Sequence, residues 1–158
     1  MPTKAYVRPA KIEDAYILST KLREQDLTEL LFAANAKPLE SLLGGFGGKN
    51  TQTYSIIHEE KVIGMFGVGD CTYMPNYGVV WLLGSNEIDT IGRQFLKECR
   101  IWIKKMQNRY DVIYNWVYPD NWKSLKWLQF CGFEIRAKRP YGVHNKEFYL
   151  MIREKEHV

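Results

Sequence analysis

The sequence predicts one α/β domain, a mixed sheet with helices on both faces. Three observations predict it. Short strand-like runs alternate with helical stripes along the whole chain. Their order is strand, helices, three strands, long helix, strand, short helix, two strands, which places helices against a central sheet. The 158 residues are 46% hydrophobic, 14% aromatic and 25% charged, enough for a real core and unlike a disordered chain. No repeat, linker or low-complexity tract divides them.

Ala5 to Pro9 reads as a short strand stopped by proline. Ile12 to Arg23 reads as a helix with Ala15, Leu18 and Leu22 on one face. Leu27 to Ala34 and Leu39 to Leu43 are two further helical pieces. Gly44-Gly45-Phe46-Gly47-Gly48 ends them as a flexible loop, a connector or a substrate flap. Thr53 to His58 and Val62 to Gly69 form a hairpin around Glu59-Glu60-Lys61. After the turn at Met74 to Gly78, Val79 to Leu83 is continuously apolar, as a strand covered on both faces should be.

The longest helix follows. Ile88, Ile91, Phe95, Cys99, Trp102 and Met106 recur at steps of three and four, with Asn86 or Asp89 suited to cap the start. Asp111 to Tyr118 is β-branched and aromatic, a strand. Asn121 to Cys131 is a short helix ended by Gly132 in the left-handed conformation. Phe133 to Ile135 and Glu147 to Ile152 are the last strands. The basic run Arg136 to Tyr141 between them reads as a solvated loop, available to a cofactor phosphate or an acidic partner.

Lys and Arg number 22 against 18 Asp and Glu, a net charge of +4. This suits an anionic cofactor and falls short of a dedicated nucleic-acid binder. Cys71, Cys99 and Cys131 are odd in number and lack CxxC spacing, which argues against a disulfide framework or a zinc site. The first residues carry no apolar signal segment, and no run has the length of a membrane span. The expectation is a soluble cytoplasmic protein without a metal.

The segment Asn121 to Phe133 resembles the last block of the GNAT acyltransferases: an Asn, a small residue three on at Ser124, and a helix ending in Gly132-Phe133. Val7-Arg8-Pro9-Ala10 with Asp14 is similar to the family's first strand and turn. Trp116-Val117-Tyr118 running into Asn121 also resembles small GNAT-like proteins of T7-type tailed phages, which would place the chain in host cytoplasm or virion.

The resemblance implies a mostly antiparallel sheet whose fourth and fifth strands splay apart around acetyl-CoA. It further implies N-acyl transfer to an amine on a small molecule or protein. Trp81, Leu82 and Leu83 become the backbone contacts to the acyl-pantetheine. Ile91, Gly92 and Arg93 become the start of the pyrophosphate-binding helix, where free N–H groups and the dipole favour an anion. Asn121 is a candidate for the pantetheine, although an Asn there also suits an N-cap.

The pattern departs at three places. Glu87 and Asp89 put carboxylates beside the expected phosphate, and Thr90 stands where a glycine should let backbone approach. Leu128 holds the position of a proton-donating Tyr. Arg93, Lys97 and Arg100 are the nearby compensating cations. Tyr118 and Ser124 are the remaining hydroxyl candidates for the thiolate's proton, and Asp70 is the candidate base. His58, His144 and His157 are isolated from one another.

Two functions follow. One is an acetyl-CoA-dependent N-acyltransferase with a degenerate cofactor loop and reduced CoA affinity. The other is a catalytically silent binding or assembly protein on the same fold, acting through a protein partner or as a homodimer. The first is the expectation.

Overall fold

The computed structural model describes residues 4–155. His157 therefore lies outside the described residues. Seven strands form one sheet in the order β1-β2-β3-β4-β5-β7-β6. The strands are β1 (Tyr6–Pro9), β2 (Gln52–His58), β3 (Lys61–Asp70), β4 (Tyr77–Gly84), β5 (Val112–Val117), β6 (Glu134–Tyr141) and β7 (Lys146–Glu154). Every adjacent pair is antiparallel except β4 and β5. The helices are α1 (Ile12–Leu18), α2 (Glu24–Ala34), α3 (Pro38–Leu43), α4 (Gly92–Gln107) and α5 (Trp122–Phe130).

Two cores lie on opposite faces of the sheet. On one, Phe95, Cys99, Ile103 and Met106 of α4 pack with Trp127 and Leu128 of α5 against Phe66, Val80 and Leu82. This is the helical stripe read from the sequence, with Ile103 added. On the other, Ala15, Leu18, Leu22 and Leu42 cover Ile57, Val62, Met65 and Leu83. Residues on alternate sides of β3 and β4 feed the two cores, which is why both strands read as continuous apolar runs.

The first turn is tied down by charge. Arg8 donates two hydrogen bonds to Asp14, at 2.7 and 2.9 Å, and Asp14 also accepts from Ser55 and the Lys11 amide. Burial by itself would raise the Asp14 pKa, but these bonds outweigh it and hold the carboxyl below its ordinary range.

Several boundaries differ from those expected. The first helix stops at Leu18, and Arg23 belongs instead to the start of α2 as its N-cap residue. The β2–β3 hairpin turns on Glu59 and Glu60, both with positive φ, the two-residue turn that matches strand twist. The basic run Arg136 to Tyr141 is strand and not loop, because it pairs with Lys146 to Leu150 of β7 and forms the sheet edge. Pro140 and the charges suit an edge strand, where no further chain pairs.

The expected long helix is broken at its start. Asn86–Thr90 is a separate 3₁₀ turn, capped by Ser85, whose side chain accepts from the Glu87 amide. The α-helix begins only at Gly92, which holds φ +52, a value that suits glycine. Neither Asn86 nor Asp89 caps it. Ile91 stands at the N-cap position and supplies no side-chain cap, and among the described residues no side chain accepts from the first amides.

Candidate functional site

The site is built around a gap in the sheet. The parallel strands β4 and β5 pair only through Tyr77–Val112, Gly78–Ile113 and Val79–Tyr114. Beyond Val79 they diverge, so Val80 to Leu83 lack a strand partner on that side. A specific anchor holds the far end of β4. The Gly84 carbonyl accepts from the Arg23 amide at 2.8 Å, and the Gly84 amide donates to Asp26 Oδ2 at 2.9 Å. The end of β4 is thereby bound to α2 instead of β5.

A cavity opens on each side of this gap, and Leu82 lines both. The smaller, about 330 Å³, lies on the α4 and α5 side. Its walls include Gly92, Phe95, Leu96, Trp127 and Phe130, with Asp89, Lys123 and Lys126 among its polar groups. The larger, about 780 Å³, lies on the other side. Trp81, Leu83, Tyr114, Trp116 and Tyr141 supply its walls, and Glu29 and Asp70 its carboxylates. Gly44, Gly45 and Gly48 of the glycine-rich loop line the larger cavity, so this segment is a wall of the site as well as a connector. Thr53 Oγ1 holds the loop by donating to the Gly45 carbonyl.

The expected cofactor residues divide. Trp81, Leu82 and Leu83 stand on the unpaired part of β4, and Gly92 lines the smaller cavity. Ile91 and Arg93 belong to the start of α4 but line neither cavity. Asn121 occupies the N-cap position of α5 without capping it. Its amide nitrogen donates instead to Asp26 at 3.1 Å and Glu29 at 2.5 Å, and its buried Oδ1 has no hydrogen-bond partner among the described residues. A buried acceptor without a partner costs about 1–3 kcal/mol, which a ligand donor would offset.

The expected catalytic residues also divide. Ser124 is buried within α5, and Tyr118 packs at 5.0 Å from Phe32 and 5.4 Å from Phe148; neither lines either of these two cavities. Leu128 is in the core. Asp70 does line the larger cavity. It accepts from Tyr110 Oη at 2.7 Å and Asn50 at 2.8 Å, and these bonds lower its pKa below the ordinary range. Asp70 is thus a fixed negative charge. His144 bonds Asn35 at 2.8 Å, away from both cavities.

The residue missed by sequence reasoning is Glu29. Its carboxyl sits between α2 and the β5–α5 connection, accepting from Asn121 and from the Tyr118 backbone amide. Burial, with a further contribution from neighbouring Asp26, pushes its pKa up to about 8 despite those bonds. No local motif marks it, since Asn121 and Tyr118, which bond its carboxyl, come from a distant part of the chain.

The carboxylates before α4 are paired. Asp89 receives Lys123 Nζ and, at 3.5 Å, Arg23; Glu87 lies 3.9 Å from Lys21. The repulsion expected of Asp89 and Glu87 is therefore largely compensated by cations of the protein. Arg100 does not compensate: it donates to the Phe130 carbonyl at 3.1 Å and lies over the Phe130 ring.

No protein-family model matches the chain, and no curated protein matches it. Its structure is similar to spermidine N-acetyltransferase from Vibrio cholerae solved with CoA and spermine, at a TM-score of 0.69 and 15% identity, covering 96% of this chain and 95% of that one. A GNAT-family acetyltransferase from Streptococcus pneumoniae gives 0.61 and 17%, covering 96% and 99%. AAC(6')-Ib with ribostamycin and coenzyme A gives 0.67 and 16%, covering 96% and 94%. The fold is that of the GNAT acetyltransferases.

Proposed function

We propose that the chain is an acetyl-CoA-dependent N-acyltransferase acting on an amine, with the donor on the α4–α5 side of the sheet and the acceptor on the other. The observation that carries this reading is the gap between β4 and β5, flanked by two cavities with Leu82 common to both. A gap of this kind lets two ligands meet from opposite faces while each is held by its own walls. The structures it resembles include complexes with CoA together with spermine or ribostamycin, which supports a CoA donor paired with an amine acceptor.

The residues present fit an acyl-pantetheine donor. The β5-facing edge of Val80 to Leu83 offers backbone hydrogen bonds to an extended amide chain, and Asn121 Oδ1 offers a buried acceptor. The uncapped amides at the start of α4 offer donors to an anion. Bound there, acetyl-CoA would supply an acetyl group activated as a thioester.

Glu29 is the proposed general base. It lines the acceptor cavity, and a carboxyl with a pKa of about 8 is, in its ionised form, a far stronger base toward an ammonium than an ordinary carboxylate, that form growing as pH rises through about 8. Asp70 supplies a fixed negative charge that attracts the cationic acceptor. The two carboxylates take separate roles because their surroundings push their pKa values apart. Trp81, Trp116 and Tyr141 present aromatic surfaces to an amine cation. Tyr118 and Ser124, which line neither cavity, are proposed as hydroxyl routes for the thiolate's proton on the family resemblance of the segment that carries them.

Leu128 favours the alternative, a binding protein that retained the fold, because a core leucine cannot return a proton. Thermal unfolding with and without acetyl-CoA separates the two. Donor binding at a hundred times its dissociation constant adds about 2.7 kcal/mol, and an enzyme should also release free thiol with an amine present. No shift at millimolar acetyl-CoA would overturn the enzyme reading.

A further inference from the structure

A diphosphate entering the smaller cavity must find positive charge, and the choices there are few. Among the described residues, the cations lining it are Arg23, Lys123 and Lys126. Arg23 is buried and already bound to Asp26 at 3.1 and 3.3 Å. Arg93 and Lys97 do not line the cavity, and Arg100 is held by Phe130. Lys123 and Lys126 remain, one turn apart on α5.

Both lysines have an unusual neighbour. Trp122, at the start of α5, is 51% exposed, although an indole ordinarily gains by burial. Lys126 Nζ stands 5.0 Å and Lys123 Nζ 5.6 Å from its ring centroid. The negative face of an indole attracts ammonium groups, so the ring can hold two like charges together at the cavity mouth. Lys123 is further paired with Asp89. An arriving phosphate would exchange one anion for another at Lys123, leaving Asp89 with Arg23 at 3.5 Å.

We propose that the diphosphate of the acyl donor is held by the Lys123–Lys126 ammonium pair, organised over the Trp122 ring, in place of contacts from the Glu87–Thr90 turn. This rests on the acyl-transfer reading. It accounts for Thr90 and Glu87, which need not approach phosphate if the positive charge comes from α5.

Calorimetric titration with CoA, and with pantetheine, which lacks the nucleotide and its phosphates, tests it. Lys126→Glu should weaken CoA about tenfold or more, with pantetheine changed less than about twofold. The salt dependence of CoA binding should flatten in the same variant. Trp122→Ala should weaken CoA several-fold, and Trp122→Phe should restore most of it, as a platform role requires. Glu87→Gln should leave CoA affinity within about twofold. Equal CoA affinity in wild type and Lys126→Glu would overturn the inference alone, as would an equal loss for CoA and pantetheine. Failure of the wild-type protein to bind either ligand would overturn the acyl-transfer reading, and the inference with it.

Discussion

Glu29 concentrates the chemistry at the scale of the single residue. Replacing it by Gln keeps the shape and the Asn121 contact but removes the base. Turnover should fall by about 10²–10⁴, with CoA affinity little changed. In the wild type, kcat/KM should rise with pH through about 8, as the carboxyl loses its proton, and this limb should vanish in Glu29→Gln. Stability responds in the opposite sense. A carboxyl whose folded pKa lies above its unfolded value of 4.5 binds more protons when folded, so stability falls as pH rises from about 4.5 to 8. Glu29→Gln should therefore raise the unfolding midpoint near pH 9 and change it little near pH 4. Burial sets this raised pKa first, Asp26 adds to it, and Asn121, Tyr118 and Arg23 oppose it. Asp26 and Arg23 are near neighbours in sequence, but Asn121 and Tyr118 come from a distant segment that the sequence around position 29 does not reveal.

At the scale of elements, Asp26 joins three of them. It receives Arg23 within the start of α2, the amide of Gly84 at the end of β4, and Asn121 before α5. Asp26→Ala would leave the buried Arg23 guanidinium without its main partner. The expected cost is about 3–5 kcal/mol, read as a lower denaturant midpoint at unchanged m-value. The same substitution removes one of the two hydrogen bonds holding Gly84, so surviving folded protein should bind donor less tightly. The loop reading of Arg136 to Tyr141 failed at this scale because a short basic run has no pattern that separates an edge strand from a loop. Pairing with β7 decided it. The start of α4 was misplaced for a related reason. The apolar stripe continues through Ile88 and Ile91, yet the backbone turns at Gly92, and periodicity does not register a break that keeps the same face inward.

Across the whole molecule, the proposed transfer depends on two cavities meeting through one gap. Leu82→Trp would place an indole at their shared wall. Transfer between donor and acceptor should fall at least about a hundredfold, because small misplacements at a reacting centre cost that much. Circular dichroism should still report the native sheet. Leu82 could be proposed from sequence as a contact on the fourth strand, but its position between two cavities belongs to the assembled sheet.

The order of strands and helices, the faces of α1 and α4, the left-handed Gly132 and the apolar β4 were all determined by local pattern. These features rest on periodicity and backbone preference, which act over a few residues. Tertiary structure alone decided that Asn121 bonds two carboxylates instead of capping its helix, that Asp89 is paired, and that the Glu29 carboxyl is raised in pKa. Hydrogen bonding and desolvation depend on which distant segments converge, and residues 29 and 121 meet only after the sheet has formed.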